Sequence, residues 1–289
     1  MKKGLIAFTL VSAISSGSVV LPSTAAFADA AADVTTALQT LTGSALASAI
    51  EAALKSATSP EEVKAAIEAI ASVATPAQQE SLGAAVGAAV AALPDAQKSA
   101  AIEAVGSSQL DGFKSSFVVS FVSASPDATV AITTIISSVS SLSDGQQKAM
   151  GVAIGVASTQ LPPSVSQAVT RAVVSSPDAG STIKASYVAG FINASPDKTV
   201  AVSSLNAAVA ASTEASAALG AAIAGAISLA LVPPATAQTV TAAVQASGNQ
   251  SLASGYSANA TNPVANSSPG DASSAIPEQK TDTNAGSPS

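Results

Sequence analysis

The sequence predicts an all-α fold of tandem helical repeats, three units of about 67 to 70 residues forming an α-solenoid or stacked helical bundle. Three observations predict it. Two twenty-residue segments align without a gap seventy positions apart, each copy carries the same helix-starting signals in the same order, and the apolar residues between those signals recur at steps of three and four.

The repeat is plainest in FKSSFVVSFVSASPDATVAI, from Phe113, set against IKASYVAGFINASPDKTVAV, from Ile183. Going back 67 positions gives LASAIEAALKSATSPEEV, and going forward 69 gives LASGY, where a fourth copy begins. The first helix of each copy holds every aromatic beyond residue 30: Phe113, Phe117, Phe121, Tyr187, Phe191 and Tyr256. Copy one has Leu46, Ile50 and Leu54 in the equivalent places. Four-residue spacing stacks these side chains on one helical face, and aliphatics replace them where a core needs only volume. The stripe therefore predicts a buried seam between repeats, in preference to an exposed strip that stacks on a sugar or other apolar ligand.

The second helix is announced by Ser59-Pro60-Glu61, Ser125-Pro126-Asp127 and Ser195-Pro196-Asp197. A serine cap, proline at the first helical position and a carboxylate against the positive end of the helix dipole account for all three residue types. Behind the cap, Val63, Ala66, Ile67, Ile70 and Val73, and in copy two Ile132, Ile135, Ile136, Val139 and Leu142, follow the helical period and not the strand period.

The third helix reads LGAAVGAAVAAL from Leu82, AMGVAIGVASTQL from Ala149 and LGAAIAGAISLAL from Leu219. Large residues recur every fourth position beside Gly83 and Gly87, Gly151 and Gly155, and Gly220 and Ala224. Glycine inside a helix costs about 0.5 to 1 kcal/mol relative to alanine, so its return at matched positions predicts close approach by a neighbouring backbone. Small-xxx-small faces also join helices within membranes. The longest uncharged apolar stretch, Leu219 to Val232, is nevertheless shorter than the about 18 residues of a span and ends at Pro233-Pro234. Leu93-Pro94, Leu161-Pro162 and Val232-Pro233 close this helix and open a fourth, with Ile102 and Val105, Val169 and Val173, and Val240 and Val244 as its apolar positions.

The two ends differ from the repeats. MKKG, the apolar run LIAFTLVSAI and the small residues STAAFADA form the three parts of a secretory signal peptide over residues 1–30, with cleavage expected after Ala28 or Ala30. Residues 31–257 are the helical repeat domain. Residues 258–289, rich in Ser, Asn, Pro and Gly without periodicity, are expected to form a disordered tail.

Composition excludes whole classes of chemistry. There is no histidine and no cysteine, which removes the commonest general base, the usual zinc and copper ligands, thiol nucleophiles, disulfides and lipid attachment at cysteine. No Walker loop and no calcium loop occurs. Glu61 with Glu62, the adjacent acidic pair of the repeat domain, is expected to be a solvated first turn. A serine-lysine arrangement would need one of Lys114, Lys148, Lys184 or Lys198, and no spacing singles one out. No catalytic, cofactor-binding or metal-binding residue is expected, and the ligand-binding residues are unknown at this level.

Cleavage at residue 30 takes Lys2, Lys3 and Asp29 from the 11 basic and 18 acidic residues, leaving 9 and 17 and a net charge of −8. No basic face exists to displace counterions, so nucleic acid is not expected as a partner. A charged fraction of 10% leaves the surface to Ser, Thr, Gln and Ala, which repel a second copy weakly and favour a protein partner or self-association. The expectation is an exported, non-catalytic structural, surface or partner-binding protein, secreted or periplasmic. The alternative is a membrane-active or envelope-associated protein using the small-xxx-small helices. A carrier of a small apolar ligand between repeats is the third reading.

Overall fold

The computed structural model describes residues 34–38 and 40–260. The expected signal peptide lies outside the described residues, as does the expected tail from 261 onward. The described regular structure is helical throughout, as the repeat pattern predicts.

After a helical segment at 34–38 come thirteen described helices: α1 (Gly43–Ser56), α2 (Pro60–Val73), α3 (Gln79–Ala91), α4 (Asp95–Ser107), α5 (Asp111–Ala124), α6 (Ala128–Val139), α7 (Asp144–Ser158), α8 (Pro163–Ser175), α9 (Ser181–Ala194), α10 (Lys198–Val209), α11 (Thr213–Ser228), α12 (Pro234–Ala246) and α13 (Gln250–Asn259). Helix α13 extends two residues past position 257, so the expected tail starts within its last turn.

The chain divides after Pro126 into two compact units. In the first, α3 lies between α1 and α5, and α2 packs on α4. In the second, α7, α9, α11 and α13 pack in succession as one row and α6, α8, α10 and α12 as another. A helix therefore rests chiefly on the helix two places along, and each seventy-residue cassette consists of two helical hairpins. The division falls after the first helix of cassette two because that helix, α5, makes its most extensive intra-unit contact with α3 of the cassette before it.

The helix starts correct one expectation. In cassette one, Ser59 caps α2 by accepting from the Glu62 N–H at 3.2 Å, with Pro60 at the first helical position. In the other two cassettes the cap is the aspartate. Asp127 Oδ1 accepts from the Thr129 and Val130 N–H groups at 2.7 and 3.3 Å, and Asp197 Oδ1 from Thr199 and Val200 at 2.8 and 3.0 Å. Ser125 and Ser195 instead close the preceding helix, each hydroxyl donating at 2.7 Å to the carbonyl four residues back. Aspartate reaches two amides with one oxygen, so it takes the cap two residues downstream of serine.

The apolar faces are buried as their spacing requires, with exceptions at helix ends. Val63, Ile67, Ile70, Ile132, Ile135, Ile136 and Val139 are fully covered. Val73, at the last position of α2, is 41% exposed, and Leu142 lies beyond the end of α6 in a turn, half-buried. Position at or beyond the helix end, not periodicity, decides these two. The proline pairs act as predicted: Pro162 and Pro233 precede α8 and α12, whose first residues are Pro163 and Pro234.

Removing the cap should show which residue holds it. Asp197→Ala is expected to lower the stability of the chain by about 1 kcal/mol in urea denaturation. Ser195→Ala should cost less, because the Phe191 carbonyl keeps the backbone N–H of Ser195; an equal or larger loss at Ser195 would return the cap to the serine.

Candidate functional site

The glycines of the third helices meet the aromatic helices of the next cassette, which identifies the close neighbour the sequence calls for. A Cβ built at Gly83 would fall on the Phe113 carbonyl oxygen, and one at Gly87 on that of Phe117. In the second unit a Cβ at Gly151 would stand 2.8 Å from the Ile183 carbonyl oxygen, and one at Gly155 would overlap the Tyr187 carbonyl and lie 2.6 Å from the Phe191 nitrogen. Gly220 meets the Leu252 carbonyl and the Tyr256 nitrogen in the same way. The glycines of the facing helices reciprocate, Gly190 against the Val152 carbonyl and Gly255 against that of Ala217. Backbone thus packs on backbone at α3–α5, α7–α9 and α11–α13.

The aromatic stripe is core. Phe113, Phe117, Phe121 and Tyr187 are at most 1% exposed, and Leu46, Ile50 and Leu54 of cassette one are buried as well. Phe117 and Phe121 stack with centroids 5.6 Å apart and planes at 9°. Each buried phenol finds a threonine on the fourth helix of the previous cassette: Tyr187 Oη and Thr170 Oγ1 are 2.6 Å apart, and Tyr256 Oη and Thr241 Oγ1 2.7 Å. In the Leu-Pro register of cassette one the place of Thr170 is held by Ile102, and that of Tyr187 by Phe117. Aromatic hydroxyl and threonine come and go together, because a buried O–H needs a partner. Burial pushes the Tyr187 phenol up to about 12, against the opposing hydrogen bonds of Thr170 and Ser158, so it stays neutral at ordinary pH.

Several of the groups that could carry acid-base work are engaged in structure. Glu62 is buried, not solvated as expected, because its carboxylate folds back to accept from the Thr58 N–H at 2.5 Å and from the Thr58 hydroxyl at 3.1 Å. Lys198 donates to the carbonyls of Ile192, Asn193 and Ser195 at the end of α9. Lys114, buried to 2% exposure, pairs with Asp111 at 3.2 Å. Lys148 is exposed, and desolvation lowers the pKa of half-buried Lys184. Among the hydrogen bonds of the described residues, none joins one of these four lysines to a serine hydroxyl, and no three acidic side chains gather as a cation site would need.

A shallow cleft among the described residues is open to recognition. It has a volume of about 280 Å³ and lies in the second unit where the end of α7, the start of α8 and the turn from α9 into α10 converge. Ser166, Gln167 and Ser204 give it neutral donors and acceptors, Phe191 and Val200 give it apolar walls, and Asp197 stands at its edge. The hydroxyls of Ser158 and Thr170 at its base are committed to helix carbonyls, at 2.8 and 2.9 Å. Such a cleft can hold a small neutral group and lacks a cationic side chain to hold an anion. Sequence reasoning named Phe191 as core and Asp197 as part of a helix start and placed neither in a cleft. Comparison with protein families, characterised proteins and solved structures finds no match for this chain.

The seam predicts an inverted response to alanine. Helix propensity alone favours Gly→Ala by up to about 1 kcal/mol, yet Gly155→Ala is expected to destabilise by about 1 to 3 kcal/mol in chemical denaturation because backbone atoms occupy the space. Gly145→Ala, with nothing within 4 Å of the added carbon, should be neutral or stabilising. Equal effects at the two sites would mean that the helices do not touch there.

Proposed function

We propose that the mature chain acts outside the cytoplasm as a non-catalytic structural, surface or partner-binding protein. The observation that carries this reading is the use made of its reactive residue types. Asp127 and Asp197 cap helices, Lys114 and Lys198 bind a neighbouring carboxylate or helix-end carbonyls, and Tyr187 and Tyr256 are tied to threonines, so these groups serve to hold the helices in place. What is left for recognition is a broad, weakly charged surface of Ser, Thr, Gln and Ala, and the cleft beside Ser166 and Val200. Repeat arrays suit such a role because neighbouring cassettes present similar surfaces in series. The N-terminal sequence pattern supports export.

The alternative of membrane activity has less support. Among the described residues no helix is long and apolar enough to cross a membrane. The glycine faces that could join helices in a bilayer are covered by the aromatic helices. In density-gradient flotation with phospholipid vesicles, zwitterionic or anionic, the chain from Ala31 onward is expected to stay in the dense fraction. Recovery with the vesicles would overturn the proposal in favour of the membrane reading.

A further inference from the structure

Granting that the cleft beside Ser166 and Val200 serves recognition, as proposed, we infer that it seats a primary ammonium group on a short apolar stem. The group is either a lysine side chain of a partner protein or a free aliphatic amine, which share this chemistry.

The hydroxyls on the walls of the cleft have already given up their protons. Ser158 donates to the Ile154 carbonyl at 2.8 Å, Thr159 to that of Val156 at 2.7 Å, Thr170 to that of Ser166 at 2.9 Å and Ser195 to that of Phe191 at 2.7 Å. All of these residues line the cleft, and what each hydroxyl still offers there is a lone pair. Asp197 adds a carboxylate: its Oδ1 accepts from Thr199 and Val200, and none of the described hydrogen bonds reaches its Oδ2. Ser166, Gln167 and Ser204 can accept as well as donate. No lysine or arginine lines the cleft, and the ammonium of Lys198, next to Asp197 in sequence, is turned to the carbonyls of Ile192, Asn193 and Ser195. An ammonium has protons to give and no lone pair, so it complements such a wall. Leu161, Pro163 and Val200, the last 58% exposed, supply hydrocarbon for the stem.

The fold does not need the polar floor of this cleft. Ser158 is the last residue of α7, Thr170 the eighth of α8 and Tyr187 the seventh of α9, and the Tyr187 phenol donates to Thr170, whose own proton is spent on Ser166. The same places in α11, α12 and α13 hold Ser228, Thr241 and Tyr256, whereas in α3, α4 and α5 they hold Ala91, Ile102 and Phe117. Gly83 and Gly87 nevertheless meet the α5 backbone with no room for a Cβ, as Gly151 and Gly155 meet that of α9. One chain thus builds the same seam with these hydroxyls and without them, although burying a hydroxyl costs free energy unless it is paired. Packing alone does not call for the oxygens of Ser158 and Thr170, and both face the cleft.

The test is a titration of the isotope-labelled mature chain, followed by its backbone amide resonances, with butylammonium chloride, Nα-acetyl-lysine amide, butanol and sodium butyrate at one ionic strength. Saturable shifts confined to residues 157–170 and 191–204 are expected with the amines and not with butanol or butyrate. A response to acetyl-lysine amide alone supports the seat and assigns it to a partner's lysine; a response to butylammonium alone supports it and assigns it to a free amine. Asp197→Asn keeps an oxygen to cap α10 and is expected to weaken amine binding about tenfold. The combination Ser158→Ala, Thr170→Ile and Tyr187→Phe, which copies the side chains of the first unit, should bind as weakly while circular dichroism shows its helices intact. Butanol shifting the same residues as strongly as the amines would overturn the inference and leave the cleft a place of recognition. No response to any probe, or amine binding unmoved by Asp197→Asn, would overturn it too.

Discussion

Everything in the array depends on how near two backbones can come along the seam between the third helix of one cassette and the first helix of the next. Where Gly83, Gly87, Gly151, Gly155 and Gly220 stand, there is no room for a single methyl group. This near contact brings helix carbonyls against glycine α-carbons, where weak C–H···O contacts and dense van der Waals packing replace side-chain interdigitation. From the first helices on this seam, Tyr187 and Tyr256 reach threonines of the other row. Buried Ser186, whose hydroxyl has no partner in the described hydrogen bonds, lies against Gly151 in this seam. There the geometry favours small volume over polar satisfaction.

A chain with so few charges still has to satisfy its helix ends, and neutral or singly charged side chains do so across the hairpins. Gln97 donates to the Ala57 carbonyl at 3.1 Å and Arg171 to that of Ala208 at 3.2 Å, each reaching the end of a helix about forty residues away. Asn249 caps α13 with its oxygen and bonds Asn206 and Ser216 with its nitrogen, at 2.7 and 3.1 Å. These bonds fix the loops on the rows without asking much of long-range electrostatics, in keeping with a surface that is mostly hydroxyl and amide.

Much of this was legible in the sequence because repetition multiplies each local signal. The helix periods of Val63 to Ile70, the helix starts at Pro162 and Pro233, and the glycines at matched positions each read correctly from neighbouring residues alone. The aromatic stripe was legible through comparison of copies, since Leu46, Ile50 and Leu54 kept its volume without its rings. Less legible was anything set by competition between near-equal local solutions. Ser195 and Asp197 can each cap a helix, and only the backbone path shows that the first closes α9 while the second opens α10. Glu62 looked solvated because its partner, Thr58, lies before the helix and not within it. The cleft was hidden for another reason: its walls come from four helices, and no short segment carries its pattern.

The account is tested most directly at Gly155. In an isotope-labelled mature chain, nuclear Overhauser spectroscopy should show a cross-peak between the α protons of Gly155 and the amide proton of Phe191, with its counterpart between Gly220 and Tyr256. Those amide nitrogens lie 2.6 Å from where a Cβ would stand. Glycine α protons that see only their own helix would contradict the account and remove the contact on which the rows are built.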